Sequence, residues 1–139
     1  MTDNSPKAVV ARFWEMYNGP DTILQTADLC AEGCEHHQAA LFGPPTHYVG
    51  RKPQIERIRM VAAAFSDWQV TPLQIVADGD DVACRYSWTA TARVPLAGFA
   101  AGAKLRMEAS CFFTVRDGLI VRMNDVPGAI TAHPEGVTP

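Results

Sequence analysis

The chain has 139 residues, enough for one domain with a core of its own. With 47% hydrophobic residues, 19% charged residues and a net charge of −3, it offers no electrostatic ground for binding nucleic acid or an anionic membrane surface. No apolar run approaches the length of a membrane span, and Met1 to Lys7 lack the basic start and apolar stretch of a signal peptide, so a cytoplasmic protein is expected.

Ser5 as a cap, Pro6 at the first helical position and the stripe Val10, Phe13, Trp14 and Tyr17 predict a helix over 5–18, ended by Asn18-Gly19-Pro20-Asp21. A second short helix is expected over 21–29, with Asp21 as its cap. Residues 32–38 read as a short extended piece and Gly43-Pro44-Pro45 as a loop. A third helix is expected over 52–65, with Pro53 in its first turn and Ile55, Ile58, Val61, Ala62 and Phe65 on one side. Arg51, Lys52, Arg57 and Arg59 on this segment read as a solvated basic face, and Ser66-Asp67 breaks the helix.

From Trp68 the pattern changes to strands. The first runs over 68–77, and Pro72 marks it as an edge strand or a bulged one. Asp78-Gly79-Asp80-Asp81 is a turn. The next strand spans 82–93, and alternation sends Val82, Cys84, Tyr86 and Trp88 inward while Arg85 points out. Residues 94–103 are an apolar loop rich in Gly and Ala. Residues 104–115 and 119–125 form a hairpin closed at Asp117-Gly118. A two-residue loop would set Thr114 and Phe112 beside Val121 and Met123. A three-residue loop with a glycine bulge would set Val115, Phe113 and Cys111 there, and it is favoured because it gathers apolar side chains on one face. Glu108 lies on the opposite face of its strand. The stretch from Pro127 to Pro139 holds three prolines and little to bury, so the single domain, 1–139, is expected to have a core over about 8–127 and a loose tail over 128–139.

Alternation in the last strand places Leu119, Val121, Met123 and Asp125 on one face. A carboxylate that finishes an apolar stripe sits either at an exposed strand end or in a pocket, and in a pocket its pKa is expected to rise toward neutrality. His36 and His37 alternate, so one of them faces inward. His47 and His133 fall in loops. Cys30, Cys34, Cys84 and Cys111 read as reduced, buried thiols, because Cys30 and Cys34 lack the paired spacing of a zinc site. No metal is therefore expected.

Helices first and a curved, mostly antiparallel sheet after is an α+β arrangement. Four segments carry a more specific likeness: Gly50-Arg51-Lys52-Pro53, Ala64-Phe65-Ser66-Asp67-Trp68, Asp78-Gly79-Asp80-Asp81-Val82-Ala83-Cys84-Arg85-Tyr86, and Phe113-Thr114-Val115-Arg116-Asp117-Gly118-Leu119-Ile120. In this order and spacing the chain resembles the SnoaL-like polyketide cyclase branch of the nuclear transport factor 2-like superfamily, over roughly residues 8–127. The resemblance implies a cone in which helices pack over the curved sheet around an apolar pocket, and a homodimer paired through the outer sheet face. Enzymes of this superfamily include cyclases, steroid isomerases, epoxide hydrolases and dehydratases.

Asp125 matches the catalytic aspartate that epoxide hydrolases of this fold carry on the last strand, but Tyr86 and Trp88 stand where those enzymes have an Arg-x-Asp pair. Phe13 stands where steroid isomerases have an oxyanion-donating tyrosine, and His36-His37 where they have a carboxylate base. His36 fits the first-strand histidine of cyclase-type members, while Gly128 replaces an acid that many of them carry beyond Asp125. The expectation is a small enzyme without cofactor, doing acid–base chemistry on an apolar carbonyl-containing or polycyclic molecule. Asp125 would shuttle the proton, His36 would assist, and Tyr17 or Tyr86 would stabilise negative charge. Trp14, Trp88, Met123, Phe113 and Val121 would line the pocket. The alternative is a non-catalytic ligand-binding or dimeric interaction protein of the same fold. The enzyme reading requires Asp125 within hydrogen-bonding reach of His36 or a tyrosine inside a cavity.

Overall fold

A computed structural model of the chain describes residues 3–41 and 43–133. Helix α1 (Pro6–Tyr17) buries Val10, Phe13 and Trp14 of the expected stripe together with Val9, while Tyr17 is only half-buried. Ser5 stands at the N-cap, but its hydroxyl makes no capping bond. The Ser5 amide instead donates to Asp3 Oδ1 at 2.9 Å. No α-helix forms over 21–29. A single 3-10 helix, Ile23–Leu29, follows Thr22, so Asp21 is not its cap. The Thr22 hydroxyl donates back to the Met16 carbonyl at 2.7 Å, and this fold-back needs Gly19, where a Cβ would lie 2.2 Å from Thr22 Oγ1.

Strand β1 (Cys30–Gln38) follows, then β2 (Thr46–Val49), helix α2 (Arg51–Ala64), β3 (Phe65–Asp78), β4 (Asp81–Ala92), β5 (Lys104–Arg116), β6 (Leu119–Pro127) and β7 (Thr131–Ala132). The sheet order is β2-β1-β6-β5-β4-β3, with β7 added on β5. Among the described residues, only β1 and β6 pair in parallel; the other strand pairings are antiparallel. Pro72 lies in the edge strand β3 and also at a register shift, so both expectations for it hold. Irregularities also occur in β1, near Asp67 (φ 51°) in β3 and in the β5–β6 ladder. Such bulges bend strands and raise their twist, which curves the sheet around α1. Phe13 and Trp14 of α1 meet Phe113 of β5 edge-on, with ring centroids 5.7 and 5.8 Å apart. Asn18 fastens the end of α1 to β3: its side chain donates to the Val70 carbonyl at 2.8 Å and accepts from the Val70 amide at 2.7 Å.

Two further expectations are corrected. The final hairpin turns on two residues, with Arg116 opposite Leu119 and both Asp117 (φ 52°) and Gly118 (φ 77°) left-handed. The favoured three-residue loop is therefore absent. Its apolar pairing nevertheless arises, because the ladder slips at Val121: Val115 faces Ile120, Thr114 faces Arg122 and Phe113 faces Met123. The slip puts Ile120, Met123 and Asp125 on the inner face and removes Leu119 and Val121 from it. The chain past Pro127 is also not loose up to His133. Leu105 pairs with Ala132 and Arg106 with Thr131. The Gly128 amide donates to the Glu108 carbonyl at 3.0 Å. Residues 134–139 lie outside the described residues. Among the described residues, no helix is long and apolar enough to cross a membrane.

Candidate active site

The inner sheet face, α1 and α2 enclose a cavity of about 530 Å³. Its walls are mostly apolar and include Phe13, Trp14, Val70, Trp88, Met107 and Met123. Leu41, Met60 and Ile130 border it as well, so the β7 tail contributes to the wall. Of the five side chains expected to line a pocket, Trp14, Trp88 and Met123 do so. Phe113 and Val121 do not: Phe113 packs behind the wall in the core, and the slip in β6 carries Val121 off the inner face.

The polar groups gather where β6, β1 and α2 meet. Asp125, cross-strand from Cys111, extends from β6 with its side chain 12% exposed. Tyr86 of β4 donates its hydroxyl to Asp125 Oδ1 at 3.0 Å. His36 of β1 faces inward and is buried, while His37 faces out and stacks on His47 across β2 with centroids 4.1 Å apart. His47 thus belongs to a strand and not to a loop. His36 Nε2 lies 3.6 Å from Asp125 Oδ2, an ion-pair distance too long for a hydrogen bond, and has no hydrogen-bond partner among the described residues. Its Nδ1 is hydrogen-bonded to the Tyr48 hydroxyl, which also donates to Gln54 Oε1 at 3.2 Å. Tyr17 lines the same cavity from α1.

Arg57 overturns its sequence reading. It belongs to the cavity wall, not to a solvated basic face. Its Nη2 donates to Gln38 Oε1 at 2.8 Å and stands 3.9 Å from Asp125 Oδ2. Gln54, Arg57, Ile58 and Val61 follow helical spacing, and Gln54 and Ile58 are the buried residues of α2. The inward face of α2 is therefore partly polar. Arg51 is also inward enough to donate to the Cys30 carbonyl at 2.7 Å. Arg85, as expected, points outward and pairs with Glu108 at 3.3 Å.

These neighbours reverse the expected titration of Asp125. Burial pushes its pKa up, but His36, the Arg57 charge and the Tyr86 hydrogen bond outweigh it and hold the carboxyl below its ordinary value. It is a carboxylate at neutral pH. Burial raises the tyrosines 17, 48 and 86, with the Asp125 charge acting in the same direction, so their hydroxyls stay protonated donors. For Arg57, burial works to lower the pKa, yet Tyr48, Tyr17 and Asp125 carry it above its ordinary value, so it stays charged. Tyr86, offered with Tyr17 as an oxyanion donor, is already committed to Asp125; the Tyr17 hydroxyl has no hydrogen-bond partner among the described residues. The arrangement is thus a held carboxylate beside a cation, at one end of an apolar chamber. The cysteines Cys30, Cys34, Cys84 and Cys111 are all free and buried.

Tyr48, Gln54, Gln38 and Arg57 were not legible as site residues. The only trace in the sequence is the polar pair Gln54 and Arg57 sharing a helical face with Ile58 and Val61. Tyr48 sits on a four-residue strand directly after Pro44-Pro45, too short to declare itself.

The SnoaL-like domain family is matched by residues 10–123 of the chain. Among solved structures, wild-type IdmH from Streptomyces antibioticus, a candidate polyketide cyclase, is 27% identical over 88% of this chain and 91% of that one, with a TM-score of 0.73. A candidate SnoaL-like polyketide cyclase from Jannaschia sp. CCS1 superposes with a TM-score of 0.76 at 16% identity, over 91% of this chain and 89% of that one. A candidate ketosteroid isomerase from Kribbella flavida gives 0.63 at 22% identity, over 96% and 81% of the two chains. The last two are likenesses of fold alone. No curated protein matches the chain.

Proposed function

Given that the chain belongs to the SnoaL-like domain family, a fold shared by proteins of several chemistries, we propose that it is a small enzyme that moves a proton on an apolar, carbonyl-containing molecule. The observation that carries this reading is Asp125: a carboxylate in an apolar cavity, with one oxygen held by Tyr86 at 3.0 Å and the other facing His36 and Arg57 without a hydrogen bond. Oδ2 is then the base. It accepts a proton from carbon next to a carbonyl, and Tyr86 and His36 keep the carboxyl oriented. Every role in that step falls to a side chain of the chain itself. An apolar wall suits a flat or polycyclic substrate, and the same proton shuttle serves isomerisation, cyclisation or elimination.

The test is turnover across a panel of apolar ketones, lactones and polycyclic aromatic carbonyl compounds. Asp125→Asn keeps the shape of the side chain and removes the base, and it should lower turnover by roughly 10²- to 10⁴-fold. A true substrate turned over at the wild-type rate by Asp125→Asn would sink the proposal. Binding without turnover, equal in both proteins, would favour the ligand-binding alternative.

A further inference from the structure

Cys30 and Cys34 belong neither to the cavity wall nor to the cluster around Asp125. From Cys30 to Glu35, β1 advances five residues, while its partner β6 advances only two, from Ile120 to Arg122. The surplus bulges out of the ladder. Glu32 and Gly33 are exposed at its crest, and Cys30 and Cys34 are buried at its two ends. Residues four apart in a regular strand stand roughly 13 Å apart, beyond the reach of two thiols. Here the bulge folds its ends together, and the two cysteine side chains are hydrogen-bonded to each other. That bond from Cys30 holds the Cys34 thiol below its ordinary pKa, against burial and the Glu35 charge. The same contact, with burial, pushes Cys30 up. Cys34 is therefore the sulfur that more readily becomes a thiolate.

The other two cysteines are placed differently. Cys84 and Cys111 face each other across β4 and β5, two inner strands of the sheet, on an unbroken part of the ladder. Burial raises both thiols. Only the pair in β1 combines slack backbone, an open crest and a favoured thiolate. A Cβ on Gly33 would meet nothing within 4 Å, so the crest is free to move aside and admit a small oxidant.

The bulge is also the seat of α2. The Cys34 carbonyl accepts from the Gly50 amide at 2.9 Å, and the Cys30 carbonyl accepts from Arg51 Nε at 2.7 Å. A Cβ on Gly50 would lie 3.6 Å from the Glu32 carbonyl oxygen. From this seat α2 carries Gln54 and Arg57 to the cavity. A covalent S–S bond holds two sulfurs closer than a hydrogen bond between thiols does. Forming one would draw the ends of the bulge together and shift both carbonyls beneath the start of α2.

We propose that Cys30 and Cys34 form a redox switch, closed to a disulfide by a hydroperoxide and opened by a small dithiol, that sets the position of α2 against the cavity. In closing, the Cys34 thiolate attacks the outer oxygen of the hydroperoxide. The O–O bond breaks, the alcohol leaves with the proton that Cys34 gave up, and Cys34 becomes a sulfenic acid. The Cys30 sulfur then attacks Cys34 Sγ, the S–O bond breaks, and water leaves with the Cys30 proton. In sum, two thiols and a hydroperoxide give a disulfide, an alcohol and water. In opening, the small dithiol takes over the disulfide by exchange and the two cysteines regain their protons.

The test treats the folded full chain with hydrogen peroxide, blocks the remaining thiols in denaturant and maps the peptides without reduction. A Cys30–Cys34 bridge should form while Cys84 and Cys111 are recovered as blocked thiols. Dimedone present during oxidation should label Cys34 in Cys30→Ser and leave Cys30 unlabelled in Cys34→Ser. In wild type, oxidation should speed hydrogen exchange of the Gly50 amide roughly tenfold or more, and dithiothreitol should restore it. Far-UV circular dichroism and thermal melting show whether each serine variant is folded; if one is not, the wild-type map and exchange decide alone. Met60, 71% exposed, gauges the dose. Its conversion to sulfoxide without a Cys30–Cys34 bridge would overturn the switch, as would a bridge between Cys84 and Cys111 in its place. Dimedone on Cys30 in a folded Cys34→Ser would overturn the order of attack. A Cys30–Cys34 bridge that leaves exchange at Gly50 and in the first turn of α2 unchanged would overturn the link to the cavity. None of these outcomes depends on the role of Asp125.

Discussion

Asp125 shows how neighbours set the chemistry of one residue. An aspartate in an apolar wall alone would hold its proton. Here a cation, an imidazole and a phenol take its pKa below the ordinary value of 3.8. The acid limb of the kcat/KM profile should therefore lie below about pH 4, and a limb near neutrality would show that the base is another group. The linkage sign follows from the same shift. The unfolded chain binds the Asp125 proton at higher pH than the folded one, so stability from this group is complete above the ordinary carboxylate range. It is lost as pH falls through the folded value. Urea midpoints should thus fall more steeply with acid in wild type than in Asp125→Asn. Tyr48→Phe removes the hydrogen-bond partner of both His36 Nδ1 and Gln54 Oε1 and should cost about 1–3 kcal/mol in urea denaturation, since both buried groups are left unpaired. The inward faces of Asp125, Tyr17 and Tyr86 were legible because alternation or helical spacing fixes them, whereas for His36 and His37 alternation says only that one of the two faces inward, and the structure decides that it is His36. Arg57 was not legible, since an arginine on an amphipathic helix reads as solvated until a carboxylate is placed opposite it.

Among the elements, the β5–β6 hairpin separates what a turn decides from what a core decides. Asp117-Gly118 takes the tight turn that its left-handed residues allow, and that register alone would misplace the apolar side chains. The slip at Val121 restores them. Burying Ile120 and Met123 outweighs the loss of one regular rung, because each is worth about 1.5–3 kcal/mol when fully buried. Gly128 governs the next element. A Cβ there would fall 2.2 Å from the Glu108 carbonyl oxygen, whereas at Gly33 it would meet nothing within 4 Å. Gly128→Ala should break the Gly128–Glu108 hydrogen bond and loosen β7. We expect a loss of about 1–3 kcal/mol and faster hydrogen exchange at the β7 amides, with Gly33→Ala as the near-neutral control. The tail read as loose for lack of apolar residues, yet Gly128 and the open side of β5 supply it with backbone partners that composition does not reveal.

At the scale of the whole molecule, the outer face of the sheet carries a cross-strand row from Val76 through Ala83, Phe112, Asn124 and His37 to His47. Val76 is 54% exposed and Phe112 50% exposed in that row. Exposed apolar groups in line on the outer face suit pairing with a second copy, as the expected homodimer requires. Sedimentation should then give a dimer for wild type and a monomer for Phe112→Glu, with the far-UV circular dichroism spectrum unchanged; a wild-type monomer at micromolar concentration would count against the expectation. The sequence by itself determined the α+β order, the inward set of β4, the inner face of α1 and the likeness to a family, because these rest on periodicity and on local motifs. Only the tertiary structure decided that Arg57 and Tyr48 join Asp125, that β6 slips at Val121 and that the tail closes the cavity wall. Each depends on contacts between residues far apart in the chain, where burial and charge pairing outweigh the local preferences that a sequence displays.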